Sequence, residues 1–184
     1  MVVALKTHRF TRDEYDRMVE TGILTTDDRV ELIEGEILAM SPQNSPHATA
    51  TRLAQKVLES VFGPGHDVRA QFPLALEADS EPEPDLAVVA GSPRDSRAHH
   101  PETALLVVEV AETSLTFDRT IKQSLYARAE IPEYWVINLR DRQVEVFRGP
   151  ARSGYRSLAT YTAGQTFSPA GRPAVRVAVD DLLP

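Results

Sequence analysis

The chain has 184 residues, a formal net charge of −7 and no cysteine. That length suits one domain with a sizeable core, and a composition 42% hydrophobic and 26% charged is that of a folded protein. The missing cysteines exclude disulfides, thiolate metal sites and a cysteine nucleophile, and the acidic balance counts against easy nucleic-acid binding.

The acid is unevenly placed. Residues 11–36 hold nine acids and three arginines, while residues 140–156 hold five arginines and two acids, so a local basic surface is expected near the C-terminal third. The N-terminal MVVALKTHRF has too short an apolar run for a secretory signal, and no stretch approaches the roughly 20 apolar residues that span a bilayer. The expectation is a soluble, cytoplasmic protein with no membrane partner.

In chain order, residues 11–20 read as a short amphipathic helix, with Thr11 as cap and Glu14 completing a capping box. Residues 29–40, RVELIEGEILAM, read as a hairpin turning at Glu34-Gly35. Ser45-Pro46 starts a helix whose apolar residues, Leu53 to Phe62, recur at helical spacing. Gly63-Pro64-Gly65 ends it. Strands are predicted at about 67–76, 85–89 and 104–110. A helix follows over 117–129, with Phe117, Ile121 and Leu125 as its buried stripe. Residues 134–139 form an apolar strand, onto which 143–148 hairpins back. Beyond Pro150 the best strand candidates are 155–161 and 174–179. A helix crossing between strands 104–110 and 134–139 makes those two parallel and the sheet mixed. The class is therefore α/β (more narrowly α+β). It is read as a single domain over 1–184, with a core at about 45–140, a helix-hairpin extension at 8–40 and a β-rich tail at 141–184.

Glu109 is the anomaly. It sits inside ALLVVEV, where a buried carboxylate needs a cation, a donor or a proton; a structural ion pair is the plainer reading. Asp85 opens another apolar strand, in EPDLAVV, behind Pro84. Two carboxylates from neighbouring strands can share one divalent cation, and hard oxygen ligands suit Mg²⁺ or Mn²⁺. Asp118, Lys122 and Tyr126 form one stripe on the second long helix. The plain reading is a helical Asp-Lys pair; the sharper one aims Lys122 at the carboxylates, to orient or activate water or to stabilise charge on a phosphate. Of the hairpin acids Glu31, Glu34 and Glu36, Glu36 is the preferred extra metal ligand, with Glu31 also a candidate. His47, in a first helical turn, reads as a capping or packing residue, or as a contact to phosphate or to metal-bound water. No Gly-rich phosphate loop, GxGxxG, HExxH or GxSxG is present.

Six segments in order, VELIEGEI, SPQNSPH, EPDLAVV, VVEVAETS, FDRTIKQSLY and PEYWVIN, resemble the PD-(D/E)XK nuclease superfamily, and within it a bacterial restriction-endonuclease-like branch catalogued as a domain of unknown function. The resemblance covers about residues 8–148. It implies a restriction-endonuclease-like core and Mg²⁺-dependent hydrolysis of DNA, with Asp85 and Glu109 holding the metal and the Val110 backbone carbonyl adding a ligand. The superfamily's lysine usually stands two residues after the strand glutamate. Here that position is Ala111, and Lys122 is the natural replacement. Two rivals remain open: a nuclease-fold protein acting as a binding or assembly module, and a metal-dependent hydrolase of a small phosphoester. A homodimer or higher homo-oligomer is the expectation for a cutter of both strands.

Overall fold

A computed structural model describes residues 7–184. Helix α1 (Arg12–Glu20) starts at the expected capping box: the Thr11 side chain accepts from Glu14 N, and the Glu14 carboxylate accepts from Thr11 N. Strands β1 (Val30–Ile33) and β2 (Glu36–Ala39) form the expected hairpin. Glu34 and Gly35 both have positive φ (50° and 75°), the two-residue turn whose twist suits antiparallel strands. Helix α2 (Ser45–Phe62) is capped by Asn44, whose side chain accepts from His47 N, and it ends at Gly63 (φ 64°).

The central sheet has six strands in the order β3-β4-β5-β6-β7-β8. These are β3 (His66–Ala70), β4 (Leu86–Ala90), β5 (Leu106–Ala111), β6 (Glu133–Asn138), β7 (Gln143–Ala151) and β8 (Gly154–Thr162). All neighbours are antiparallel except β5 and β6, which run parallel as the crossover helix requires. The sheet is mixed and helices flank it, so the α+β expectation holds. A short pair, β9 (Thr166–Phe167) and β10 (Val177–Ala178), and a 3₁₀ turn (Val179–Asp181) close the chain.

Side chains alternate across β5. Leu106, Val108 and Val110 join Trp135, Leu86 and Val88 under α2, which contributes Ala50, Ala54, Leu58 and Phe62. Val107 and Ala111 lie on the other face with Ala87, Tyr134, Val136 and Tyr126. That second face is covered by the crossover helix, built of α3 (Leu115–Phe117), a π turn (Asp118–Lys122) and α4 (Gln123–Arg128).

Three expectations need correction. The strand predicted over 67–76 stops at Ala70, because Gln71 adopts φ 57° and turns to donate its N–H to the carbonyls of Pro84 and Asp85. The strand predicted at 174–179 shrinks to two residues before the 3₁₀ turn. The buried stripe of the crossover helix is Asp118, Lys122, Leu125 and Tyr126, whereas Ile121 is exposed and Phe117 half-buried. Leu125 is buried as expected, but the sheet face beneath carries the Glu109 carboxylate, so polar partners also turn inward there. The π turn carries two of them, consistent with the tendency of such bulges to sit at functional positions.

Candidate metal centre and cleft

Glu109 lies near the end of β5, on the face covered by the crossover helix, and is buried. Its Oε1 accepts from Lys122 Nζ at 2.9 Å and from the Tyr126 hydroxyl at 2.8 Å. Its Oε2 accepts from Asp85 N at 3.3 Å. Asp85 stands one residue before β4, and its Oδ2 accepts from Val110 N at 2.8 Å. The two carboxylates are thus interlocked through each other's strands, β4 and β5 being hydrogen-bonded neighbours.

Lys122 contacts a third acid, with Nζ 3.1 Å from Glu31 Oε2. Glu31 comes from the hairpin, which is held to the segment preceding β4 by reciprocal backbone bonds between Leu32 and Glu81; Glu31 Oε2 also accepts from Glu83 N at 3.1 Å. Lys122 therefore bridges Glu109 and Glu31 and makes no ion pair with Asp118, contrary to the plain reading of the helix spacing. Asp118 instead accepts from the Ser114 hydroxyl at 2.6 Å. Glu36, the preferred hairpin ligand, is not brought to this cluster: it is exposed and pairs with Arg9 at 3.0 Å. It follows the turn on β2, while Glu31 faces inward on β1.

His47 reaches the same place from the first turn of α2, its Nε2 3.1 Å from Asp85 Oδ2. It does not cap the helix through its side chain; Asn44 does. Its Nδ1 is buried without a partner. Sequence reasoning missed Gln71, whose Nε2 donates to Asp85 Oδ1 at 3.3 Å, and Ser114. A left-handed glutamine leaves no mark in a sequence, and a serine four residues before Asp118 is too common a pattern to single out.

The electrostatics follow from crowding. Burial raises the Glu109 carboxyl to about 8, against the pull of Lys122 and with help from Asp85, Asp118 and Glu31. Burial likewise raises Asp118 to about 6, although Ser114 and Lys122 oppose it. Burial pulls Lys122 down, but Glu109, Glu31 and Asp118 outweigh it, and the ammonium is held firmly protonated. At His47 burial again works against the charge, yet Asp85 and the Val110 carbonyl lift its pKa. Val110 lines the cleft beside it.

Among the described residues no three His, Asp or Glu side chains form a ready-made ligand cluster; Lys122 occupies the space between Glu109 and Glu31. The donor set nevertheless fits a hard divalent cation. Two interlocked carboxylates supply oxygen, and four buried acids stand with one lysine that pairs with only two of them, so the site is short of positive charge. These groups lie on the wall of a cleft of about 900 Å³. The cleft is also lined by Tyr15 and Val19 of α1, by Leu38 and Met40 at the hairpin, and by Phe117.

Known proteins share this architecture. The sequence model of the Uma2 family, described as "Putative restriction endonuclease", matches residues 12–180. The crystal structure of a putative nuclease belonging to DUF820 from Anabaena variabilis ATCC 29413 is similar, with a TM-score of 0.71 at 16% identity, covering 94% of this chain and 97% of that one. No curated protein matches. Among the described residues no helix is long and apolar enough to cross a membrane. With a family match spanning nearly its whole length and a fold shared with a protein of that kind, the chain belongs to the Uma2 family of restriction-endonuclease-like proteins.

Proposed function

We propose that the protein is a Mg²⁺- or Mn²⁺-dependent endonuclease that hydrolyses phosphodiester bonds in DNA, with Asp85 and Glu109 holding the metal and the Val110 carbonyl beside them. The observation that carries this reading is the convergence of Asp85, Glu109 and Lys122, with Lys122 Nζ 2.9 Å from Glu109 Oε1, on the wall of an open cleft. The family's description and the likeness to the Anabaena protein support nuclease chemistry in general.

A bound divalent cation supplies Lewis acidity toward the phosphate and a more acidic water. The chain's own residues do the rest. Lys122 remains an ammonium and acts as a positive charge beside the scissile phosphate, stabilising the negative charge that develops there. Tyr126 donates to Glu109 and fixes its orientation. Glu31 pairs with the Lys122 ammonium at 3.1 Å and helps hold it in place. His47 and Gln71 orient Asp85. The lysine usually expected two residues after Glu109 is replaced by Ala111, which is fully buried in the apolar layer; Lys122 delivers the ammonium from the π turn instead.

The test is nicking of supercoiled plasmid and cleavage of labelled single strands with Mg²⁺ or Mn²⁺, repeated in EDTA. Metal-dependent cutting that Lys122→Met reduces by at least tenfold, at a temperature where its circular dichroism stays native, supports the reading. Cutting that persists undiminished in EDTA contradicts it.

A further inference from the structure

Building on the endonuclease reading, we infer that the DNA strand taken into the cleft is unpaired: a single strand, or a nucleotide turned out of a duplex, and not an intact double helix. Three observations converge on this.

The first is depth and size. Asp85, Glu109 and Lys122 are each less than a tenth exposed, so the phosphate must enter the cleft to reach them. A space of about 900 Å³ lies within the roughly 300–1,000 Å³ that encloses one small organic ligand. A sphere of that volume is about 12 Å across, no wider than the major groove of B-DNA alone, and the whole double helix is wider than its groove. A nucleotide enters; a duplex does not.

The second is that the walls are tied down. The Tyr15 hydroxyl donates to the Val30 carbonyl at 2.9 Å, Arg12 N donates to the Ala78 carbonyl at 2.8 Å, and Phe10 N donates to the Gly35 carbonyl at 2.9 Å. Helix α1 and the hairpin are therefore anchored at three points, and admitting a duplex would break them.

The third is the character of the lining. Five acids face the cleft, against Arg29, Lys122 and a histidine. A single strand carries about half the axial charge density of a duplex and meets correspondingly less repulsion. Half-buried Phe117 and Met40 offer apolar contact to the face of an exposed base, as proteins that bind single strands do with stacking side chains. Enzymes that work inside a pocket take the nucleotide out of the stack, at a cost of a few kcal/mol that falls when the base is already unpaired.

The experiment uses one sequence in three forms: single strand, full duplex, and duplex with a central unpaired bubble. Cleavage is followed in Mn²⁺ with the wild-type protein, and binding by fluorescence anisotropy with Asp85→Asn. The single strand and the bubble should be cut at least tenfold faster than the duplex, with cuts inside the bubble, and should bind at least tenfold more tightly. Phe117→Ala, and separately Met40→Ala, should weaken single-strand binding about fivefold or more while circular dichroism stays native. A duplex cut or bound as well as the single strand overturns the inference and leaves the endonuclease reading standing. Absence of any cleavage defeats the endonuclease reading, and the anisotropy preference then decides this inference by itself.

Discussion

Lys122 reaches Glu109 from a different element, its Nζ 2.9 Å from Oε1, and the π turn that carries it also buries Asp118. The pair is buried, less than a tenth exposed, and Glu31 shares the ammonium. Removing the cation leaves buried acids without compensation. Lys122→Met should therefore cost about 3–5 kcal/mol, the usual consequence of breaking a buried pair from one side. Urea denaturation in EDTA measures it, and a change below about 1 kcal/mol would show that the pair is not buried as described.

Metal binding should be visible as stability. A cation that binds only the folded chain adds about 2.7 kcal/mol at a hundred times its dissociation constant. Mg²⁺ or Mn²⁺ should raise the melting temperature of the wild-type protein in a concentration-dependent way. Asp85→Ala should abolish that rise, and an equal rise in both proteins would place the metal elsewhere.

Glu81 gives a pH dependence away from the carboxylate pair. It is buried on the segment that bridges to Leu32, and burial, reinforced by Asp16, lifts its pKa to about 7 in spite of Arg12. A carboxyl whose folded pKa is raised binds its proton more tightly in the folded state than in the unfolded one. Its contribution is fully present below the unfolded value, near 4.5, and is lost as pH rises through about 7. Stability measured in EDTA should decline over that window, and Glu81→Gln should flatten the decline. An unchanged slope in the variant would remove Glu81 as its source.

The hairpin that delivers Glu31 depends on Gly35. Its φ is +75°, and an added Cβ would stand 2.7 Å from Arg9 Cβ and 3.1 Å from the Phe10 carbonyl oxygen. Gly35→Ala should destabilise the protein by about 1–3 kcal/mol and reduce cleavage more than Thr11→Ala, which removes only a helix cap worth about 1 kcal/mol. Thermal melts and nicking rates of the two variants compare them directly.

Much of the fold is legible in the sequence alone. The capping box, the hairpin turn and the parallel β5–β6 pair follow from local chemistry and from the crossover rule, and the structure bears them out. Glu109 stands out as an acid in an apolar strand. The same reasoning, applied evenly, favours Glu31 over Glu36: Glu31 stands between Val30 and Leu32 inside a strand, whereas Glu36 follows the turn. Periodicity fails at the crossover helix because it assumes that the sheet below is apolar, and here the sheet presents Glu109. It fails after Ala70 because the backbone of Gln71 is set by its bonds to Pro84 and Asp85, partners fourteen residues along the chain in the case of Asp85.

The most direct measurement is the initial cleavage rate of labelled single-stranded DNA in Mg²⁺ by wild-type protein and by Asp85→Ala, with matched circular dichroism spectra. If Asp85 and Glu109 hold the metal for hydrolysis, the variant should fold and lose at least a hundredfold in rate. Equal rates for the two proteins would contradict the metal site and, with it, the assignment of the chemistry to this cleft.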